Sequence, residues 1–81
     1  MLGPANWGFK RITFTGTQTN TLADYFDAAF TSTDQFIVFV ESGMGRIVAN
    51  GDITATTIKV TNDSSPSSDT NVIVVPLVSR N

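Results

Sequence analysis

Two stretches of this chain are apolar on both strand faces at once. Phe36, Ile37, Val38, Phe39 and Val40 run without interruption, and Val72, Ile73, Val74, Val75, Leu77 and Val78 are broken only by Pro76. Successive side chains of a strand point to opposite faces, so a strand of this kind needs cover on both. A chain of 81 residues makes one domain and has little material with which to supply that cover. The second face is therefore expected to be closed by other copies, with sheets packed face to face or edge to edge. The competing expectation is a monomer in which the N-terminal residues and the loop at 62–69 lie over the sheet.

The usual staples of a small domain are missing. A domain of this size buries only about 60% of the surface its unfolded chain exposes. There is no Cys for a disulfide, and neither Cys nor His for the common zinc sites. Oligomerisation is what remains. Charged residues are 15% of the chain, against about 25% in a typical domain. Net charge is −2, and Lys10-Arg11 is the one adjacent basic pair, which argues against a nucleic-acid polymer as partner. No apolar run reaches the length of a membrane span. Residues 1–9 lack the basic and apolar regions of a signal peptide, so cytosolic synthesis is expected.

Residues 1–9 read as an arm, broken by Gly3, Pro4, Asn6 and Gly8 and ending on Trp7 and Phe9. The two rings either fold back on the domain's own core or anchor the arm on a neighbouring subunit, where Trp is favoured. Residues 10–81 read as a single small α+β domain of order β-α-β-β-β-β, one helix on a mostly antiparallel or mixed sheet of about five strands. Ile12 and Phe14 alternate with Arg11, Thr13 and Thr15, which is a strand with one buried face. Residues 16–20 read as a polar turn. Leu22, Tyr25, Phe26, Ala29 and Phe30 form one apolar stripe at helical spacing, and Thr21 with Asp24 resembles a capping box, so a helix is expected over 21–30. Asn50-Gly51 predicts a type I′ hairpin turn between strands at 46–49 and 52–61. The alternation of the second slips between Ile53/Ala55 and Ile58/Val60, which a bulge at Thr56-Thr57 would explain. Pro76 lacks a ladder donor, so the last strand is an edge or ends there.

Little here supports catalysis. With no His, acid–base work would fall to carboxylates, and Asp24, Asp27 and Asp52 read as a solvated face and turn chemistry. The acidic loop at 62–69 lacks the ordered spacing of a calcium loop, and neither metal nor cofactor is expected. The site-like place is the turn 15–21, where backbone donors at the start of the expected helix and Thr hydroxyls would suit an anion. Its glycine spacing matches neither a P-loop nor a dinucleotide fingerprint. Thr17 and Thr19, with Arg11 and Arg46, are the contacts expected for a nucleotide or other anionic ligand held between subunits. For the interface, the expected residues are Trp7 and Phe9 for docking and Phe36, Val38, Val40, Val72, Val74 and Leu77 for packing.

One segment carries a resemblance. Asn50-Gly51-Asp52-Ile53-Thr54-Ala55-Thr56-Thr57-Ile58-Lys59-Val60 is similar to Thr/Ala/Gly-rich strands of bacteriophage tail-fibre and virion appendage proteins. It is compositional and covers about an eighth of the chain, and the expected helix and the lack of a repeat depart from a fibre shaft. The resemblance implies a non-enzymatic phage structural protein, such as a decoration or fibre-base component. It would assemble as a homo-oligomer, contact other virion proteins and reside in the virion or host cytoplasm. The alternative is an oligomeric small-ligand module, for example a phage anti-defence protein sequestering a nucleotide signal at subunit interfaces. A protein-interaction adaptor is a third possibility.

Overall fold

A computed structural model of the chain describes residues 8–26 and 30–77. Five strands form two antiparallel sheets: β1 (Lys10–Thr15), β2 (Gln18–Thr21), β3 (Phe36–Ser42), β4 (Thr57–Val60) and β5 (Asp69–Pro76). The larger sheet has the order β1-β5-β3, and β2 pairs with β4 in the smaller one. β5 lies at the centre, its Val72 opposite Ile12 on one side and Val40 on the other.

The alternation expected of residues 10–15 places Ile12 and Phe14 inside and leaves Arg11, Thr13 and Thr15 exposed. On the same inner face β5 contributes Val72 and Val74, and β3 contributes Phe36 and Val38. Leu22, Phe26 and Phe30, with Ile58 and Val60 of β4, pack against them to complete one core. Phe30 bridges its two neighbours, edge-on to Phe26 at 5.2 Å between centroids and tilted on Phe36 at 4.7 Å.

The α+β expectation is corrected: among the described residues there is no α-helix, only three short 3-10 turns. Residues 27–29 of the expected helix lie outside the described residues. Residues 18–20, read as turn, and Thr21, read as the cap of the helix, form β2, because alternating β-branched Thr19 and Thr21 suit a pleated edge. Thr21 makes no side-chain cap; the next N–H, that of Leu22, donates instead to Thr56 O at 2.8 Å across the small sheet. The chain turns once through Leu22–Asp24, and an isolated ten-residue helix had too little intrinsic stability to compete. The apolar spacing still marked the core, since Leu22, Phe26 and Phe30 are all buried.

The 46–61 region differs as well. Asn50–Asp52 is a 3-10 turn, with Asp52 Oδ2 accepting from Ala49 N at 3.1 Å, and positive φ among the described residues occurs only at Gly16 and Gly43. No strand forms over 46–49; Arg46 makes a single bridge to Thr61. The parity slip marks a tight turn in place of a bulge. Ile53 bridges Ile58, Thr54 N donates to Thr57 O at 2.9 Å, and Thr54 Oγ1 accepts from the N–H groups of Thr56 and Thr57. The true bulge lies in β3, at Glu41, where the register with β5 shifts between Val40 and Ser42.

Pro76 ends β5, which is a central strand. Leu77 N donates to Gln35 O, so odd-numbered residues there face β3 and Pro76 faces the β1 side. β1 begins only at Lys10, opposite Val74, and no ladder donor is needed at position 76.

Candidate functional site

Two features stand out: the outer face of the large sheet with its free β3 edge, and a groove beside the small sheet.

The outer face divides in two. At one end polar side chains link the strands: Thr13 Oγ1 donates to Asn71 Oδ1 at 2.8 Å, and Asn71 Nδ2 donates to Ser42 Oγ at 3.0 Å. Arg11 on β1 donates through Nε and Nη2 to the two carboxylate oxygens of Glu41 on β3, at 2.6 and 2.8 Å. Hydrogen bonding to Arg11, reinforced by its charge, holds the Glu41 carboxyl below its ordinary range, and Glu41 in turn raises the Arg11 guanidinium. At the other end the face is apolar. Ile37 and Phe39 are each 49% exposed, and Phe9 and Leu77 are exposed nearby in sequence to the same strand ends.

The two edges of this sheet are treated differently. Gly16 N donates to Ser68 O, which continues the β1–β5 ladder and leaves the backbone groups of residues 11, 13 and 15 pointing outward. Gln18 Oε1 accepts from Thr15 N at 2.7 Å, and Asn20 Nδ2 reaches Thr13 O at 3.4 Å, so β1's edge is blunted by side chains of β2. β3 has no neighbour beyond β5 among the described residues.

The groove, of about 350 Å³, lies between Met44, Arg46 and Val48 on one side and residues 61–64 on the other. Asn62, only 3% exposed, lines it, and neither its Oδ1 nor its Nδ2 has a hydrogen-bond partner among the described residues. An unpaired buried amide is costly and marks a place where something polar is missing or strain is kept.

The four expected ligand contacts do not gather in one place. Thr17 Oγ1 accepts from Asn62 N at 2.9 Å and donates to Asp63 Oδ1 at 3.2 Å, and Arg46 lines the groove beside the same loop. Arg11 is committed to Glu41 on the outer sheet face, and Thr19 is exposed on β2 opposite Lys59. The stretch 15–21 opens no α-helix: its residues 18–21 are β2, and a single 3-10 turn, Leu22–Asp24, follows. Of the expected interface residues, Trp7 lies outside the described residues. Phe36, Val72 and Val74 belong to the chain's own core, Val38 packs partly against it, and Phe9, Val40 and Leu77 are exposed. Asn62 was missed; a buried Asn carries no periodic signal, and it sits at the start of what reads as a polar Ser/Pro/Asp loop.

Among the described residues no three or more of His, Cys, Asp and Glu gather as a metal site, and no helix is long and apolar enough to cross a membrane. No protein-family model, no curated protein and no solved structure matches the chain.

Proposed function

We propose that this chain is a non-enzymatic structural subunit that assembles with copies of itself through its larger sheet, in the manner of a small phage virion component. The observation that carries the reading is the edge at Phe36–Val40, which no other described strand pairs and whose Ile37 and Phe39 on the outer face are each 49% exposed. An exposed, apolar, unpaired edge strand is a pairing template, and proteins that stay monomeric blunt it with charge, Pro or a covering loop. The virion context rests on the Thr/Ala/Gly-rich composition of residues 50–60 and the low charge of the chain. Native mass spectrometry at near-physiological salt tests the reading. A closed oligomer or an ordered series is expected, and a clean monomer across the micromolar range sinks it.

A second reading, a small-ligand module, is favoured by the groove. There Arg46 offers charge, Met44 and Val48 offer apolar surface, and Asn62 offers an unpartnered amide. A nucleotide suits that combination, with the guanidinium meeting phosphate and the amide meeting a base edge. A ligand that binds the folded state raises its melting temperature. No shift across a panel of linear and cyclic nucleotides counts against this reading.

A further inference from the structure

We infer that the partner on the free edge is a second copy of this chain, added antiparallel about a two-fold axis through Val38; this rests on the assembly reading above and specifies its geometry.

The usable length of the edge is set at both ends. A 3-10 turn at Thr33–Gln35, closed by a capping box between Ser32 and Gln35, precedes it. The bulge at Glu41 and the turn through Gly43, with φ of 102°, carry the chain away after it. The flat run between them is Phe36–Val40, and its midpoint is Val38.

Backbone direction agrees with that centre. Because Gln35 O accepts from Leu77 N, the hydrogen-bonding groups of residues 35, 37 and 39 are spent on β5, and those of 36, 38 and 40 point out to the open side. A two-fold centred on Val38 places 38 opposite 38, and 36 opposite 40, as hydrogen-bonded pairs. The outward groups of both copies are then matched.

Side chains choose between this register and its neighbours. Centred on Val38, every residue from 36 to 40 meets an apolar residue: Phe36 meets Val40, and Ile37 meets Phe39 on the outer face. The last is an aromatic to β-branched cross-strand pair, among the favourable kinds. Sliding the axis to Phe39 puts Glu41 against Ile37. Sliding it to Glu41 puts two carboxylates face to face. With Val38 at the centre, Glu41 instead faces Gln35 of the other copy. The Gln35 amide oxygen accepts from Thr31 N and Ser32 N, so the part of the amide not engaged in those bonds is a donor, which suits a carboxylate. Charge and apolar matching therefore select the same register. The product is one six-stranded sheet, β1 strands outermost, and it stops there because Gln18 and Asn20 blunt both new edges. Such an isologous contact closes.

The chain has no Cys, so any introduced thiol is the only one present. Oxidation of Val38→Cys is expected to give a covalent dimer, since directly opposed residues lie within disulfide reach. Val40→Cys is expected to cross-link about tenfold less, because residue 40 of one copy lies about 13 Å along the strand from residue 40 of the other. Since Val38 packs on the core, a second pair guards against misfolding: mixing the exposed variants Ile37→Cys and Phe39→Cys should give the mixed disulfide over either homodimer. Native mass spectrometry of the unaltered chain is run beside them. A dimer with both cross-links supports the inference. An oligomer in which neither cross-link forms overturns it and leaves the assembly reading standing, and a monomer overturns both.

Discussion

Arg11 on β1 grips both carboxylate oxygens of Glu41 on β3, so the two outer strands of the sheet are tied together across β5. Ile73 lies between them on the same face, opposite both Arg11 and Phe39, and is only 5% exposed. The grip depends on the bulge: the extra residue lets Glu41 reach Arg11 and Ser42 meet Asn71 on one face.

That pair gives the sheet a pH dependence. The Glu41 carboxyl is held below its unfolded value chiefly by the hydrogen bonds from Arg11, which outweigh an opposing desolvation, with the charge of Arg11 adding to them. A lowered carboxyl adds stability above its unfolded pKa and loses it as pH falls through the folded one. Arg11 is raised and stays protonated throughout this range. Glu41→Gln should therefore lower the urea midpoint at about pH 7, and its gap to the parent chain should close as pH falls through the folded pKa. Both side chains are partly exposed, at 53% and 37%, so added salt should narrow the difference. A gap that widens on acidification contradicts the assignment.

Thr70 is a buried polar residue with a defined task. It is fully buried on the inner face of β5, and its Oγ1 accepts from Gly45 N at 2.9 Å, tying the 42–45 turn to the central strand. Thr70→Val keeps the shape and strands that donor, and should cost about 1–3 kcal/mol in urea unfolding. Thr70→Ser keeps the acceptor and should lose less. Equal losses in the two variants point to packing alone.

The two glycines of the 45–51 segment should respond oppositely to a methyl group. At Gly45 a Cβ would lie 2.5 Å from Val60 Cγ1 and also crowd Thr70, so Gly45→Ala should destabilise by about 1–3 kcal/mol. At Gly51 nothing lies within 4 Å and φ is not positive. Gly51→Ala should change stability by no more than about 0.5 kcal/mol. A type I′ turn would instead make Gly51→Ala clearly destabilising, so the pair of measurements also tests the 3-10 turn found there.

Which parts of this architecture were legible follows from what local pattern encodes. Period-two alternation located β1, and the uninterrupted apolar runs located β3 and β5, because burial on a pleated strand leaves a direct mark. The spacing of Leu22, Phe26 and Phe30 marked buried residues while misreading their backbone. Three side chains can converge on a core from a helix or from an irregular turn, and Leu22 N found its partner in Thr56, 34 positions away, which no local window contains. Asn50-Gly51 failed for a related reason: Asp52 captured the N–H groups of Val48 and Ala49 and set a different turn. At the candidate sites, Arg46 and Thr17 were legible as polar contacts, but their meeting at the 61–63 loop, and the burial of Asn62 there, are tertiary facts.

Asn62 offers a test that separates stability from binding. Its backbone N–H is satisfied by Thr17 Oγ1, and its side-chain amide is buried with no partner among the described residues. An apolar residue of similar volume removes the unpaired donor and acceptor and leaves the backbone contact in place. Asn62→Leu should therefore raise stability by about 1 kcal/mol, read as an increase in urea midpoint. Groups that reduce stability are retained where function needs them. If the groove holds a ligand through this amide, the same variant should lose the ligand's thermal shift while melting higher without it. Arg46→Gln should lose the shift with little change in the unliganded melting temperature, since Arg46 is exposed and its bridge to Thr61 is made by backbone groups. A less stable Asn62→Leu would mean that the amide is satisfied in solution, by ordered water in the groove, and would remove the observation on which the ligand reading stands.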